Sequence, residues 1–229
     1  MKTVGVLVVM GTCLALTARA DLTMVQAVEG AGPATTMTIK VKDNMVRIDS
    51  NPTVSRIFDG RTGEMINLMM DQKKIMRIST KKMKAATALL NQYIGADKKS
   101  GGSKPTLVTT GRKEKVNGYD TEEYVFDAPT YKASYWVAPD YPNGPAIMKQ
   151  LELLNTGLWE GQGLYLPDYR LLKGFPVKTV MTIAGNQITS TLVSVKQDPI
   201  AATEFIPPKD FKEMKVPDLG DLLKQQSKP

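Results

Sequence analysis

The stretch "TMTIKVKDNMVRID", residues 36–49, decides the fold class. Met37, Ile39 and Val41 alternate with Thr38, Lys40 and Lys42, so an extended chain here has one apolar and one polar face. Asp43 and Asn44 supply a turn, and Val46 and Ile48 resume the pattern. That is an antiparallel hairpin with one wet face.

The same alternation spreads in both directions along the chain. "SRIFDGRTGEMINLMM" turns at Asp59 to Gly63, and "DQKKIMRIS" turns at Asp71 to Lys74, so four or five short strands precede the first helical pattern. In "KKMKAATALLNQYIG", Met83, Ala86, Leu90, Tyr93 and Ile94 recur at helical spacing and Gly95 ends the run. "DKKSGGSKP" reads as a loop inside one domain. Strands return in "TLVTTGRKEKV", "YDTEEYVF" and "YKASYWVA", a meander joined by Asn117-Gly118 and a bend at Ala128-Pro129. A second helix starts at Pro145, with Ile147, Leu151, Leu154 and Leu158 on one stripe. "PVKTVMTIAGNQITSTLVSVKQ" is a long hairpin turning at Gly185-Asn186. Runs of strands interrupted by helices predict a mainly β (α+β) fold. It is a large curved antiparallel sheet of about eleven strands, with two or three helices covering one face.

The front of the chain has the form of a secretory signal. Lys2 precedes the apolar run "VGVLVVMGTCLAL", and "TARA" ends in the small-x-small pattern, which places cleavage near Ala20. The run is short for a membrane span. Cys13 lies inside the apolar run behind Thr12, a poor fit to a lipoprotein signal. Cleavage removes this single cysteine, and the chain has no histidine. A mature protein over residues 21–229 then has no Cys-His or Ser-His-Asp nucleophile, no histidine base and no zinc site of His or Cys. Carboxylate, lysine, tyrosine and hydroxyl groups remain. With Lys2 and Arg19 gone, 28 basic residues face 23 acidic ones, and the excess is dispersed. This suits a solvated surface or transient contact with an anionic membrane surface. Nucleic acid is not an expected partner, since no basic helix or Gly-rich phosphate loop is legible.

Candidate site residues divide by chemistry. Asp120, Glu122 and Glu123 offer paired carboxylates, but Glu122 and Glu123 point to opposite faces of one strand. Glu123 reads as an exposed strand residue with Tyr119 and Lys115 as surface partners. "DGRTGE" has too few ligands for a calcium loop and reads as a hairpin turn. Tyr131, Ala133, Tyr135 and Val137 share one face of their strand, and Trp136 takes the other with Lys132, Ser134 and Ala138. Methionines are dense in the first half, including Met69 and Met76. They suit either a plain core or a cavity that accepts acyl chains of varied shape better than a copper site. "GLWEGQGLYLPDYRLLKGFP", residues 157–176, is too irregular for a strand and too apolar for a free loop, which predicts a lid or a partner surface. Trp136, Tyr135, Met69, Met76, Leu90, Leu151, Trp159, Tyr165 and Leu166 are the candidate cavity or lid residues.

"VNGYDTEEYVF", "ASYWVAPDYP", "KGFPVKTVMTIAGNQIT" and "DPIAATEFIPPKDFKEM" together resemble a bacterial family of exported proteins, domain of unknown function 4412. The resemblance implies an architecture similar to the LolA and LolB lipoprotein carriers and to the regulator RseB, an open half-barrel with helices plugging its mouth. It implies a domain over residues 21–214, in the periplasm; the residues "KQQSKP" at the end read as disordered, which leaves a partly disordered C-terminal tail at 215–229. The expected function is non-enzymatic binding of a hydrophobic ligand, such as an acyl chain, lipid or lipoprotein anchor, between sheet and helices. A scaffold or sensor role, binding another envelope protein through the helical or lid face, is the alternative. No cofactor or metal is implied.

Overall fold

The computed structural model describes residues 21–30, 32–82, 85, 105–128, 131–152 and 166–214. Six strands come first: β1 (Leu22–Glu29), β2 (Thr35–Lys42), β3 (Met45–Asn51), β4 (Val54–Asp59), β5 (Glu64–Met69) and β6 (Lys74–Ser79). Then follow β7 (Thr106–Val116), β8 (Tyr119–Ala128), β9 (Tyr131–Ala138), helix α1 (Gly144–Leu151), β10 (Phe175–Ile183), β11 (Asn186–Lys196) and β12 (Lys212–Met214). They form one open, curved sheet in the order β12-β6-β5-β4-β3-β2-β1-β11-β10-β9-β8-β7.

The strand count corrects the expectation of about eleven, and also of four or five strands before the first helix. β1 carries no clean apolar alternation, because Gln26 takes a place in the row of Leu22, Met24 and Val28; its side-chain oxygen accepts from Ser190 Oγ at 2.9 Å. β12 pairs in parallel with β6, so the sheet is not wholly antiparallel. Its three exposed residues, Lys212, Glu213 and Met214, have no periodic signature, and backbone pairing alone makes them a strand. The last long hairpin turns at Ala184 and Gly185, one residue earlier than expected, with Ile183 opposite Asn186. Both turn residues have positive φ, the backbone a two-residue hairpin needs, and Asn117-Gly118 does the same between β7 and β8. The helix expected from Met83 to Ile94 lies mostly outside the described residues; Thr80, Lys81, Lys82 and Ala85 are helical.

Register sorts β2–β6 into two faces. Ile39, Ile48, Arg56, Asn67 and Met76 stand opposite one another across five strands, and Val41, Val46, Phe58, Met65 and Ile78 form the next row. That second row belongs to a core with Leu22, Met24, Phe175, Leu192 and, from α1, Ile147 and Leu151. This is the helix side of the sheet.

The opposite side is closed by the segment 197–214, hereafter the strap. Phe205 from the strap is buried among Ile57, Ile66, Leu68 and Ile75, with Ile200 and Phe211 packed alongside. Polar contacts fix its path. Ile200 N donates to Asp21 Oδ2 at 2.7 Å, Lys40 Nζ reaches Glu204 Oε2 at 2.8 Å, and Arg47 Nη1 donates to the Glu204 carbonyl at 2.7 Å. Lys73–Asp210 at 2.9 Å and Arg77–Glu213 at 3.5 Å then guide β12 onto the β6 edge. The strap thus covers an apolar face and one open edge, both of which would otherwise invite association.

Candidate ligand site between helix, lid turn and sheet

The β8–β10 region carries most of the aromatic residues. Tyr124, Phe126, Tyr131, Ala133, Tyr135 and Val137 form one buried cluster with Leu172. Tyr169, in the 3₁₀ turn Tyr169–Leu171, packs its ring edge-on to Tyr135 at 6.0 Å between centroids. Asp168 caps that turn, accepting from Arg170 N, and Arg170 grips the same carboxylate through Nε and Nη2, each at 2.8 Å. This fork holds the Asp168 carboxyl below the usual carboxylate range. The described end of the expected lid segment thus packs against the sheet through Tyr169 and Leu172.

Burial pushes the hydroxyls of Tyr131, Tyr135 and Tyr169 upward, and Tyr135 is hydrogen-bonded to both of the others. Such phenols stay neutral at any physiological pH. They form a hydrogen-bonded polar seam in an apolar wall.

A pocket of about 290 Å³ opens between α1 and this turn, lined by Pro145, Met148, Lys149, Glu152, Tyr169, Arg170, Leu172 and Gly174. Its inner wall is Met148, Tyr169 and buried Leu172, while Lys149, Glu152 and Arg170 are exposed at its rim. Met148 touches both the core under α1 and the aromatic cluster, so it sits at their seam. Gly174 allows the floor to form. Its φ is +154°, and a Cβ there would lie 2.4 Å from the Ala138 carbonyl oxygen, so the chain passes β9 too closely for any side chain. A larger pocket, about 510 Å³, runs along the β7–β8 hairpin, where charged Lys113, Glu114, Lys115, Asp120 and Glu122 dominate the lining. It offers an apolar ligand no comparable wall.

That glycine belongs to the "KGFPV" motif, and the motif's strand, the tryptophan strand and the closing strap are all in place in one sheet. The chain belongs to the family described as Domain of unknown function (DUF4412), matched over residues 21–211. Solved structures similar to this DUF4412 chain include PNGF-II, at 12% identity and TM-score 0.41, covering 90% of this chain and 33% of that one. The Pseudomonas aeruginosa MucA/MucB complex matches at 13% identity and TM-score 0.39, covering 87% of this chain and 59% of that one. The Mycobacterium tuberculosis lipoprotein LppX matches at 12% identity and TM-score 0.40, covering 80% and 88%. The chain spans about a third of the PNGF-II chain it matches. No curated protein matches it.

The expected site residues of this DUF4412 chain fall into three places. Tyr135 is in the aromatic cluster under the lid turn, half-buried Leu166 stands just before the turn, and Leu151 packs into the core beneath α1. Met69 and Met76 are half-buried on the helix side of β5 and β6. Leu90, Trp159 and Tyr165 lie outside the described residues.

Trp136 has an environment of its own. It is buried, with the Arg112 guanidinium carbon 5.1 Å and the Lys178 ammonium 5.5 Å from its ring centroid. Glu123, directly opposite it on β8, is buried as well. This corrects the reading of Glu123 as an exposed residue beside Tyr119 and Lys115. Its carboxylate accepts from Thr110 Oγ1 at 2.9 Å and pairs with Arg112 at 3.4 Å, while Lys115 is bridged to Asp120. The cause is a bulge. Thr109 pairs with Tyr124 and Lys113 with Glu122, so three residues centred on Gly111, at φ +74°, face Glu123 alone and swing Arg112 back over the indole.

Of the pocket's inner wall, Tyr169 and Leu172 fall within the expected lid segment 157–176, whereas Met148 belongs to no expected site. Met148 lies beside the Ile147/Leu151 stripe, and its role depends on a turn some twenty residues away, which no local spacing encodes. "DGRTGE" is a hairpin turn as read: Asp59 caps the backbone of Arg61 and Thr62 between β4 and β5. Among the described residues no cluster of acidic, His or Cys side chains could hold a metal, and no helix is long and apolar enough to cross a membrane.

Proposed function

We propose that this DUF4412 protein is exported, with cleavage near Ala20, and that its domain over residues 21–214 binds a hydrophobic ligand between sheet and helices without catalysing a reaction on it. The ligand class is an acyl chain, a lipid or a lipoprotein anchor. The observation that carries this reading is the pocket between α1 and the lid turn, whose inner wall is Met148, Tyr169 and Leu172 and whose rim is charged. An apolar wall behind a few polar groups is the usual build of a small-molecule site, and the volume stands at the small end of the usual range of about 300–1,000 Å³. Methionine adapts its shape to chains of different length, which suits Met148 at the seam of two clusters.

Titration with a pyrene-labelled acyl probe tests the reading. Wild-type protein should bind it saturably, and Leu172→Glu, which sets a charge in the inner wall, should weaken binding by on the order of ten-fold or more. Melting curves of both proteins separate loss of binding from loss of fold. Equal affinity in wild type and a folded L172E protein would remove this pocket from the account.

A further inference from the structure

On the helix side of β3–β6, which also holds Lys74 at the end of β6, Arg56 has company unusual for a charged group. Arg56 is half-buried between Val54 and Phe58 on β4, opposite Ile48 on β3 and Asn67 on β5. Its Nε donates to Asn67 Oδ1 at 3.2 Å, and Nη1 is 3.5 Å from Ser50 Oγ. Both partners are neutral. The carboxylates of β3–β5, Asp49, Asp59 and Glu64, all occupy alternate positions on the strap side, where Arg47 pairs with Asp49 and Arg77 with Glu64. Arg56 has no carboxylate partner among the described residues; beside Asn67 its register neighbours on the same face are Ile48, Val54, Phe58, Met65 and Met69, with Met76 one strand further on, opposite Asn67.

An arginine kept among apolar side chains without a counter-ion costs free energy, and neutral amide and hydroxyl oxygens offset only part of it. A surface selected only for packing would place an apolar residue here, or a carboxylate beside the guanidinium. Asn67 and Ser50 instead orient the planar fork, and no described residue balances its charge, which is the arrangement that receives a carboxylate or phosphate through paired hydrogen bonds. The flanking methionines offer an adaptable apolar surface next to that charge.

We infer that Arg56 is the anchor for the anionic head, carboxylate or phosphate, of an acyl amphiphile whose chain lies along Met69, Met76 and the apolar face around them. The inference takes from the proposed function only the hydrophobic class of the ligand and narrows it to a negatively charged amphiphile; its surface is a second one, since Arg56, Met69 and Met76 lie on β4–β6 and the pocket of about 290 Å³ is lined by α1 and the turn before β10. Asn67 is then a positioning residue that holds the guanidinium in its plane.

Three probes at neutral pH test it: a pyrene-labelled fatty acid, the methyl ester of the same acid, and inorganic phosphate. Wild-type protein should bind the acid at least about ten-fold more tightly than the ester, a difference that needs no variant to read. Arg56→Gln should bring the acid to the affinity of the ester and leave the ester unchanged. Arg56→Lys, which keeps the charge but loses the fork, should fall between them. Phosphate alone should not displace the acid at comparable concentration. Acid and ester binding equally well to wild type would overturn the anchor while leaving the hydrophobic site intact. Neither binding would overturn the hydrophobic reading and the anchor together. Phosphate displacing the acid would overturn the amphiphile in favour of a small free anion. Should Arg56→Gln fail to fold, the acid-to-ester ratio in wild type and Arg56→Lys decides the matter.

Discussion

Two segments cross the sheet, and they do so differently. The strap presses Phe205 directly among Ile57, Ile66, Leu68 and Ile75 and is tied down along its length by Asp21, Lys40, Arg47, Lys73 and Arg77. The lid turn, 168–172, packs Leu172 and Tyr169 against the aromatic cluster, yet it leaves a pocket between itself and α1. A segment that closes a face by filling it contributes stability; one that closes a face while keeping a space beside it can admit a ligand. The strap thus fills the face it covers, whereas the turn at 168–172 leaves a space beside it.

Substitutions can break that contrast, and the largest effect belongs to the strap. Phe205→Ala should lower stability by about 3–5 kcal/mol, read as a loss in denaturant midpoint, because it empties the side chain that holds the strap to the sheet. Next comes Gly174→Ala. The Cβ would meet the backbone of β9, so stability should fall by about 2–4 kcal/mol, and the pocket floor should shift enough to weaken acyl-probe binding. Arg112→Ala should cost about 1–2 kcal/mol, since it uncovers the Trp136 ring and leaves the buried Glu123 carboxylate with Thr110; indole fluorescence reports the change. Glu204→Ala should cost less than about 1 kcal/mol, because its ion pairs are partly exposed and the carbonyl that receives Arg47 survives.

Acid gives the smallest effect and touches both segments. The hydrogen bond from Arg170 depresses Asp168 in the lid turn, and the hydrogen bond from Lys73 depresses Asp210 in the strap. A carboxyl with a lowered folded-state pKa adds stability above its unfolded value and loses it as pH falls through the folded one. Melting temperature should therefore drop slightly below the normal carboxylate range. Arg170→Ala should remove the lid turn's share of that drop and Lys73→Ala the strap's.

Legibility in the sequence followed the range of the cause. The hairpin at residues 36–49 was plain because Met37, Ile39 and Val41 face Gln26, Met24 and Leu22 with the period the sequence displays. The opposite placement of Tyr135 and Trp136 was equally plain, since adjacent strand residues must diverge. Glu123 was misread because its neighbours are set by the bulge at Gly111, which moves Arg112 by a count that alternation cannot reveal. β12 escaped because nothing in Lys212, Glu213 and Met214 marks a strand apart from the edge of β6 that receives them. The pocket wall escaped for a related reason. Tyr169 and Leu172 meet Tyr135 and Met148 only after the sheet has formed, so the lid was legible as a composition but not as a set of contacts.

The central claim is that sheet, helix and lid turn enclose a hydrophobic ligand, and one measurement addresses it most directly. Protein purified without detergent is weighed by native mass spectrometry, then extracted with organic solvent and the extract analysed. The account predicts a discrete added mass on the folded protein, recovered in the extract as an acyl-chain compound in near-stoichiometric amount and reduced in Leu172→Glu. A bare protein mass with an empty extract, together with no saturable uptake of the acyl probe, would contradict it.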